Sequence, residues 1–271
     1  MAMATAQQPV GDLLREWRQR RRMSQLDLAC EADISTRHLS FLETGRSLPS
    51  RDMVLHLAEQ LEVPLRERNV LLVAAGFAPV FAERPLEDPA LQTARKAVDL
   101  VLAGHEPYPA LAVDRHWTLV AANAAVGRLI GSADASLLQP PVNVLRLSLH
   151  PKGLAPRIAN LPEWRAHLLA RLHRQIEVSA DPVLSSLMRE LTAYPVSDKS
   201  RPHKPASDRE FASVVVPMQF TTKAGTLSFF STTTVFGTPL DITLSELALE
   251  SFFPADAATA AALRQLAAPA G

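Results

Sequence analysis

The sequence predicts an all-α domain of five helices followed by an α+β domain built on an antiparallel sheet. Three observations predict it. Apolar residues recur at helical spacing through the first 80 residues. An aperiodic, proline-rich stretch, "GFAPVFAERPLEDP", then breaks the pattern. Runs rich in β-branched and aromatic residues gather near the end of the chain. The boundaries this gives are 1–78 for the first domain, 79–89 for a linker and 90–271 for the second. A length of 271 residues suits two domains.

The elements follow in order. Val10, Leu13, Leu14 and Trp17 fall on one face of a first helix. Ser24 is a good N-cap for a second, with Asp27 at its third position and Leu28 and Ala29 as the buried side. Asp33 and Ile34 make a tight break, and Ser35 caps a third helix in which Leu39 and Leu42 face inward and Gly45 is the stop. "LPSRDMVLHLAEQLEV" predicts a fourth, with Met53, Leu57, Ala58 and Leu61 as its stripe, and Pro64 opens a fifth that ends near Gly76. In the second domain a helix is expected over 90–103. "ALAVDRHWTLVAAN" reads as two short strands around a turn at Asp114 to His116, and a helix follows from Asn123 to Ile130. "NVLRLSLHP" is mixed, strand or loop. "PEWRAHLLARLHRQI" is an amphipathic helix with Trp164, Leu168, Leu172 and Ile176 on one face. "SDKSRPHKPASD" is a polar, mobile loop. "FASVVVPMQFTT", "GTLSFFSTTTVFGTP" and "DITLSELALESFF" are the late strands, with Lys223, Ala224 and Gly225 at a hairpin turn, and the alanine-rich tail is a last short helix.

The totals bound the function. Lysine plus arginine number 28 and aspartate plus glutamate 28, so no charged tail announces a partner. The start, "MAMATAQQPV", lacks a basic region followed by an apolar one, and no apolar run approaches the ~18 residues of a membrane span. A cytoplasmic protein without a membrane partner is the expectation. Cys30 is the only cysteine, which excludes an internal disulfide and a cysteine-rich zinc site. It is expected to be a small, partly buried residue rather than a redox switch.

The second and third helices, with their short break, have the dimensions of a helix-turn-helix. Such a motif puts the N-terminal residues of its second helix into the major groove. Thr36 and Arg37 are then placed to read base edges, arginine by a bidentate bond to guanine. Ser24, Gln25 and Ser35 lie at helix N-termini, where backbone N–H groups favour phosphate. Ser40 and Phe41 fall on the outer face. Arg46 reads equally as a phosphate contact or a surface residue. Residues 1–80 contain ten arginines and ten acids, which argues against strong sequence-independent affinity for DNA.

The stretch from Leu14 to Val63 resembles the XRE family of phage-repressor-like DNA-binding domains, through "LREWRQRRRMSQLDLA" and "ISTRHLSFLETGRSLPS". That resemblance implies that Arg18 pairs with Glu43 to brace the first helix against the third. It also implies that Ser24, Gln25, Thr36, Arg37 and Phe41 face DNA. Asp33 departs from the glycine usual in the family's turn, and aspartate tolerates left-handed backbone angles.

In the second domain, "ALAVDRHWTLVAANAAVGRLI" resembles the opening of a PAS-type sensor fold. "NVLRLSLHPKGLAPRIANLPEWRAHLLARL" and the segment "GTLSFFSTTTVFGTPLDITLSELALESFFPADAATAAAL" resemble MmyB-like bacterial transcription regulators. The resemblance implies a PAS-like domain sensing a small lipophilic molecule, with long-chain fatty acids as the ligand class of one branch. Trp117, Leu119, Val144, Leu147, Trp164, Leu168, Phe220, Phe229, Phe236 and Phe252 can converge on such a pocket, or simply fill a core. Arg146 and Arg157 are the candidate anchors for a carboxylate, unless acids such as Glu163 hold them.

Other classes fit less well. His150, His167 and His173 match no metal-ligand spacing, and His167 and His173, six apart, point to different faces of their helix. The hydroxyls of "STTT" (231–234) have no nucleophile elbow or base beside them. Haem sensing has no CxxCH motif behind it. A second domain that serves only dimerisation or protein partners is the remaining alternative. The expectation is a ligand-responsive transcription regulator that binds a palindromic double-stranded DNA operator as a homodimer, with no catalytic residues, metal or cofactor.

Overall fold

The computed structural model describes residues 8–195, 216–222, 225–237, 239 and 241–267. The expected mobile loop "SDKSRPHKPASD", the start of "FASVVVPMQFTT", and Lys223 and Ala224 of the expected hairpin turn lie outside the described residues. The chain divides into two compact units. One holds the residues up to Arg84 together with Glu177–Ser179 and Pro239–Ser245; the other holds Pro85–Ile176, Ala180–Thr238 and the residues from Glu246 onward.

The first unit begins with five helices: α1 (Val10–Arg20), α2 (Gln25–Glu31), α3 (Thr36–Glu43), α4 (Arg51–Gln60) and α5 (Leu65–Ala74). Serine hydroxyls start three of them. Ser24, Ser35 and Ser50 accept the backbone N–H of Asp27, His38 and Met53 at 3.1, 3.1 and 3.2 Å. Asp27 returns a bond to the Ser24 N–H at 2.8 Å and closes a capping box. Leu14, Leu28, Leu39, Leu42, Leu57 and Leu61 form the unit's buried centre. In α4, Val54 joins Leu57 and Ala58 in full burial, while Met53 is only half-buried. Asp33 takes φ 49° between α2 and α3, the left-handed conformation the turn requires. Gly11 sits where α1 crosses the end of α3. A Cβ there would lie 2.4 Å from the Leu42 carbonyl oxygen and 2.8 Å from that of Glu43.

After α5 the chain is held by side chains. Asn69 donates to the Phe81 carbonyl at 2.7 Å and accepts from Val80 and Phe81 N–H at 3.0 and 3.1 Å. Arg66 bonds Glu83 at 2.7 Å. Ala82 pairs in parallel with Asp241, and Ile242 N–H donates to the Ala82 carbonyl at 2.8 Å. Arg84 bonds the buried Asp241 carboxylate at 3.0 Å, and the Thr243 hydroxyl donates to the Arg84 carbonyl at 2.6 Å.

The second unit is a five-stranded antiparallel sheet with helices, the PAS-like α+β arrangement. Its strands are β1 (Ala110–Val113), β2 (Leu119–Ala122), β3 (Met218–Thr222), β4 (Gly225–Val235) and β5 (Ala248–Pro254), in the order β2-β1-β5-β4-β3. Its helices are α6 (Gln92–Gly104), α7 (Ala124–Ile130), α8 (Val144–Leu149), α9 (Leu161–Ser179, its last three residues in the first unit) and α10 (Pro182–Ala193); the last, α12, is Ala257–Ala267. Glu250 pairs with Leu111 on one side and Thr233 on the other, and Ser231 pairs with Phe252. Strand alternation sends these residues, with Phe220, Leu227 and Phe229, to one face. Most of the apolar ones join Trp164, Leu168, Leu172, Leu184 and Leu187 of α9 and α10 in the main core. Ala110, Ala112 and Leu249 on the opposite face meet Val98 and Leu102 of α6.

Asn123 ties the start of this domain together. Its side chain donates to the Leu102 and Tyr108 carbonyls at 3.2 and 2.8 Å, accepts from Ala110 N–H at 3.1 Å and caps α7. Two expectations need correction. "NVLRLSLHP" is helical, as α8, because the Asn143 side chain accepts from Leu145 and Arg146 N–H at 3.1 and 3.0 Å. "DITLSELALESFF" is not one strand: Asp241 accepts from Thr243 N–H at 2.9 Å and starts a short helix, α11 (Ile242–Ser245), before β5.

Candidate nucleic-acid interface and small-molecule cavity

In the first unit, the side chain of Glu43 organises the ends of α1, α2 and α3. It is fully buried, and Arg18 reaches it with Nε at 2.6 Å and Nη2 at 3.0 Å. Gln25 donates its amide to the same carboxylate at 2.8 Å, and Arg15 lies 3.7 Å away. Arg18 also donates to the Met23 carbonyl at 2.8 Å, and Arg15 to the Glu43 carbonyl at 2.8 Å. Burial pushes the Glu43 carboxyl up, but the Arg18 and Gln25 hydrogen bonds and the Arg18 and Arg15 charges together hold it below its ordinary value. The C-terminal end of α3 is thus fixed against α1 and the start of α2, while its first turn lies at the opposite end of the helix.

On that first turn Ser35, Thr36 and Arg37 are exposed. Phe41 is half-buried, and the guanidinium groups of Arg37 and Arg46 lie 5.3 and 5.8 Å from its ring. The outer face therefore carries an aromatic ring flanked by two arginines. Ser40 is half-buried, and its carbonyl accepts the Thr44 hydroxyl at 2.7 Å. The Ser24 and Ser35 hydroxyls serve the helix caps, and the Gln25 amide turns toward Glu43. Cys30 is exposed, not partly buried as expected, because it falls on the side of α2 opposite Leu28 and Ala29. Leu26 and Leu48 of the same unit are 60% and 83% exposed.

In the second unit a cavity of about 110 Å³ opens between the sheet and α7, α8 and α9. Trp117, Leu119, Val144, Leu147, Trp164, Leu168, Phe220 and Phe252 line it. The other four candidates lie off it. Phe229 is behind the wall, fully buried and edge-on to Phe252 at 6.4 Å. Phe236 belongs to the α6 side of the sheet. Arg146 is bound by both oxygens of Glu190 at 2.7–3.0 Å. Arg157 lies 4.3 Å from the Phe220 ring and donates to the Thr221 and Leu129 carbonyls at 3.1 and 3.3 Å.

The charged residues on the cavity wall are Arg171 and Glu250, and neither was singled out from sequence. Arg171 Nη1 donates to Glu250 at 3.0 Å, and Nη2 donates to the other carboxylate oxygen and to the Thr233 hydroxyl at 2.7 Å. The guanidinium lies 4.6 Å from the ring of Trp117, whose indole N–H donates to Gln175 at 2.8 Å. Trp117 itself has φ 66°, a strained conformation for a bulky residue. A signal for Arg171 was present: it stands three residues after Leu168 and seven after Trp164, on the inner face of its helix. His167 stacks on Trp164 at 5.4 Å; burial, then the charges of Arg171 and Arg174, holds its pKa below the ordinary value. His150 accepts from Lys152 N–H at 3.0 Å, and no metal-binding group of acids, histidines or cysteines occurs among the described residues. None of the described helices is long and apolar enough to cross a membrane.

Residues 94–266 match the family model described as the MmyB-like transcription regulator ligand binding domain, and residues 9–71 match a helix-turn-helix domain model. An HTH-type transcriptional regulatory protein of Methanoculleus marisnigri is 36% identical over 116 residues, which are 41% of this chain and 37% of that one. The chain thus spans little more than a third of that relative's length. A solved structure of an RNA-binding light-oxygen-voltage receptor is similar at 14% identity and a TM-score of 0.24, covering 94% of this chain and 65% of that chain. That score is too low to carry a structural comparison.

Proposed function

Because the chain belongs to the MmyB-like transcription regulators and carries a helix-turn-helix domain ahead of their ligand-binding domain, we propose that it binds a palindromic operator as a homodimer under the control of a lipophilic ligand. It would act in the cytoplasm, where its DNA lies. The observation that supports the DNA half is the exposed first turn of α3, with Thr36 and Arg37 outward on a helix whose far end is held through Glu43 by Arg18 and Gln25. Arg37 is the base reader, and Ser24, Gln25, Ser35, Ser40, Phe41 and Arg46 form the surrounding contact surface. What supports the ligand half is the apolar cavity with one polar patch, the usual make-up of a small-molecule site. Its mostly apolar lining suits a fatty-acid-like chain.

Control requires that the ligand bind two arrangements of the protein with different affinity. A physical route is available. Strands β4 and β5 carry Ser231, Glu250 and Phe252 of the cavity wall, and the segment that joins them includes residues 239–245 of the N-terminal unit.

The test starts by selecting bound duplexes from a randomised pool and measuring stoichiometry by native mass spectrometry. Two half-sites about one helical turn apart, bound by two chains, are expected. Asymmetric DNA bound by one chain would remove the dimer. Organic extraction of the purified protein, with mass spectrometry of the extract, identifies a co-purified ligand. Operator affinity unchanged when the cavity is saturated would remove ligand control.

A further inference from the structure

The polar patch of the cavity says which head group it accepts. This inference rests on the ligand-binding role given to the cavity above and goes one step further. Arg171 and Glu250 form a closed pair: the Glu250 side chain is 5% exposed, and its two oxygens each receive one Nη of Arg171. Both hydrogens of Nη2 are committed, one to Glu250 and one to Thr233. The remaining polar liners, Ser231 and Ser148, are neutral hydroxyls, and Ser148 accepts the Trp164 indole N–H at 3.1 Å.

The cationic and anionic charges on this wall therefore cancel before any ligand arrives. A carboxylate placed against Arg171 would stand beside the buried carboxylate of Glu250 and leave one uncompensated negative charge in an apolar cavity. An uncharged head that both donates and accepts meets no such obstacle. It can donate toward Glu250 or a serine oxygen and accept from a serine hydroxyl or from Arg171. The geometry points to a ligand with a fatty chain and an uncharged hydrogen-bonding head, a primary amide or alcohol, in preference to a carboxylate, with Glu250 as the residue that sets this preference.

The test uses three twelve-carbon probes, dodecanamide, dodecanol and dodecanoate, titrated calorimetrically into the full-length protein at pH 8 below their aggregation limits. The amide and the alcohol should bind at least about tenfold more tightly than the carboxylate, given like-charge repulsion at short range in a low dielectric. Glu250→Gln should narrow or reverse that gap. Dodecanoate binding as tightly as the neutral probes overturns the inference on the wild-type protein alone, whether or not the variant folds. A folded Glu250→Gln protein that keeps the same preference also overturns it. If none of the three binds, the ligand-binding role of the cavity falls, and the inference with it. If all three bind equally, that role stands and only the head-group inference falls.

Discussion

Replacing Arg18 with methionine would leave the Glu43 carboxylate buried with Gln25 at 2.8 Å and only the distant Arg15, at 3.7 Å, to offset its charge. Breaking a buried pair by removing one partner costs about 3–5 kcal/mol. Gln25 and Arg15 remain, so the lower end applies, about 3 kcal/mol. A helical unit of this size has roughly 3–10 kcal/mol in total, so the loss consumes a large share of it. The double variant Arg18→Met/Glu43→Leu removes both charges. It leaves the Gln25 amide and the Met23 carbonyl without their present partners, at about 1 kcal/mol each. The double variant should therefore be no less stable than the single one. Urea unfolding, with hydrogen exchange of α1 and α3 amides to isolate this unit, measures all members of the cycle. A single-variant cost below about 1 kcal/mol, or two costs that simply add, would refute this account of the pair. The same pair sets an acid limit. The folded Glu43 carboxyl lies below its ordinary value of 4.5, so its stabilisation is present above that value and is lost as pH falls through the lowered folded one.

Gly11→Ala should destabilise the helical unit by about 1–3 kcal/mol, because the new methyl meets backbone oxygen rather than a movable side chain; a thermal transition unchanged within error would contradict the close approach of α1 to α3. Arg37→Ala should weaken operator binding by about 1–3 kcal/mol and relax one base position, read by fluorescence anisotropy on duplex variants; an equal loss on every sequence would make Arg37 a phosphate contact. Asn123→Ala removes a side chain that binds three backbone groups around β1 and caps α7. A loss of about 2–4 kcal/mol is expected in chemical unfolding of the second unit, and a cost under about 1 kcal/mol would mean that water replaces those bonds.

Features written locally were legible in the sequence. The serines that start α2, α3 and α4, the left-handed turn at Asp33 and the apolar stripes of the first four helices depend on residues a few positions apart. Long-range partners were not. Arg146 looks like a free anchor until Glu190, 44 positions later, is brought against it. Glu250 looks like a solvent-facing residue of "ALESFF" until Arg171, 79 positions earlier, meets it. The alternation of Leu145, Leu147 and Leu149 suits a strand, and the Asn143 cap overrules it. Eight of the twelve residues named for the pocket line the cavity, because large apolar side chains on an inner face converge wherever a cavity forms. The charged residues failed because their fate depends on which strand lies next to which helix.

The segment around Asp241 bears on how such proteins can be cut and recombined. By chain order, the helix-turn-helix match ends at residue 71. By contact, the first unit also takes residues 239–245, a piece of chain more than 150 positions downstream. A fragment ending at Arg84 would lose the Asp241 carboxylate that holds its last side chain and the backbone N–H that satisfies Ala82. Truncation there removes tethers of the chain after α5, whereas the apolar core of the five helices lies within residues 10–77. In a graft of the five helices onto another sensor, Asp241, Ile242 and Thr243 are the residues that would keep Ala82 and Arg84 in their present contacts.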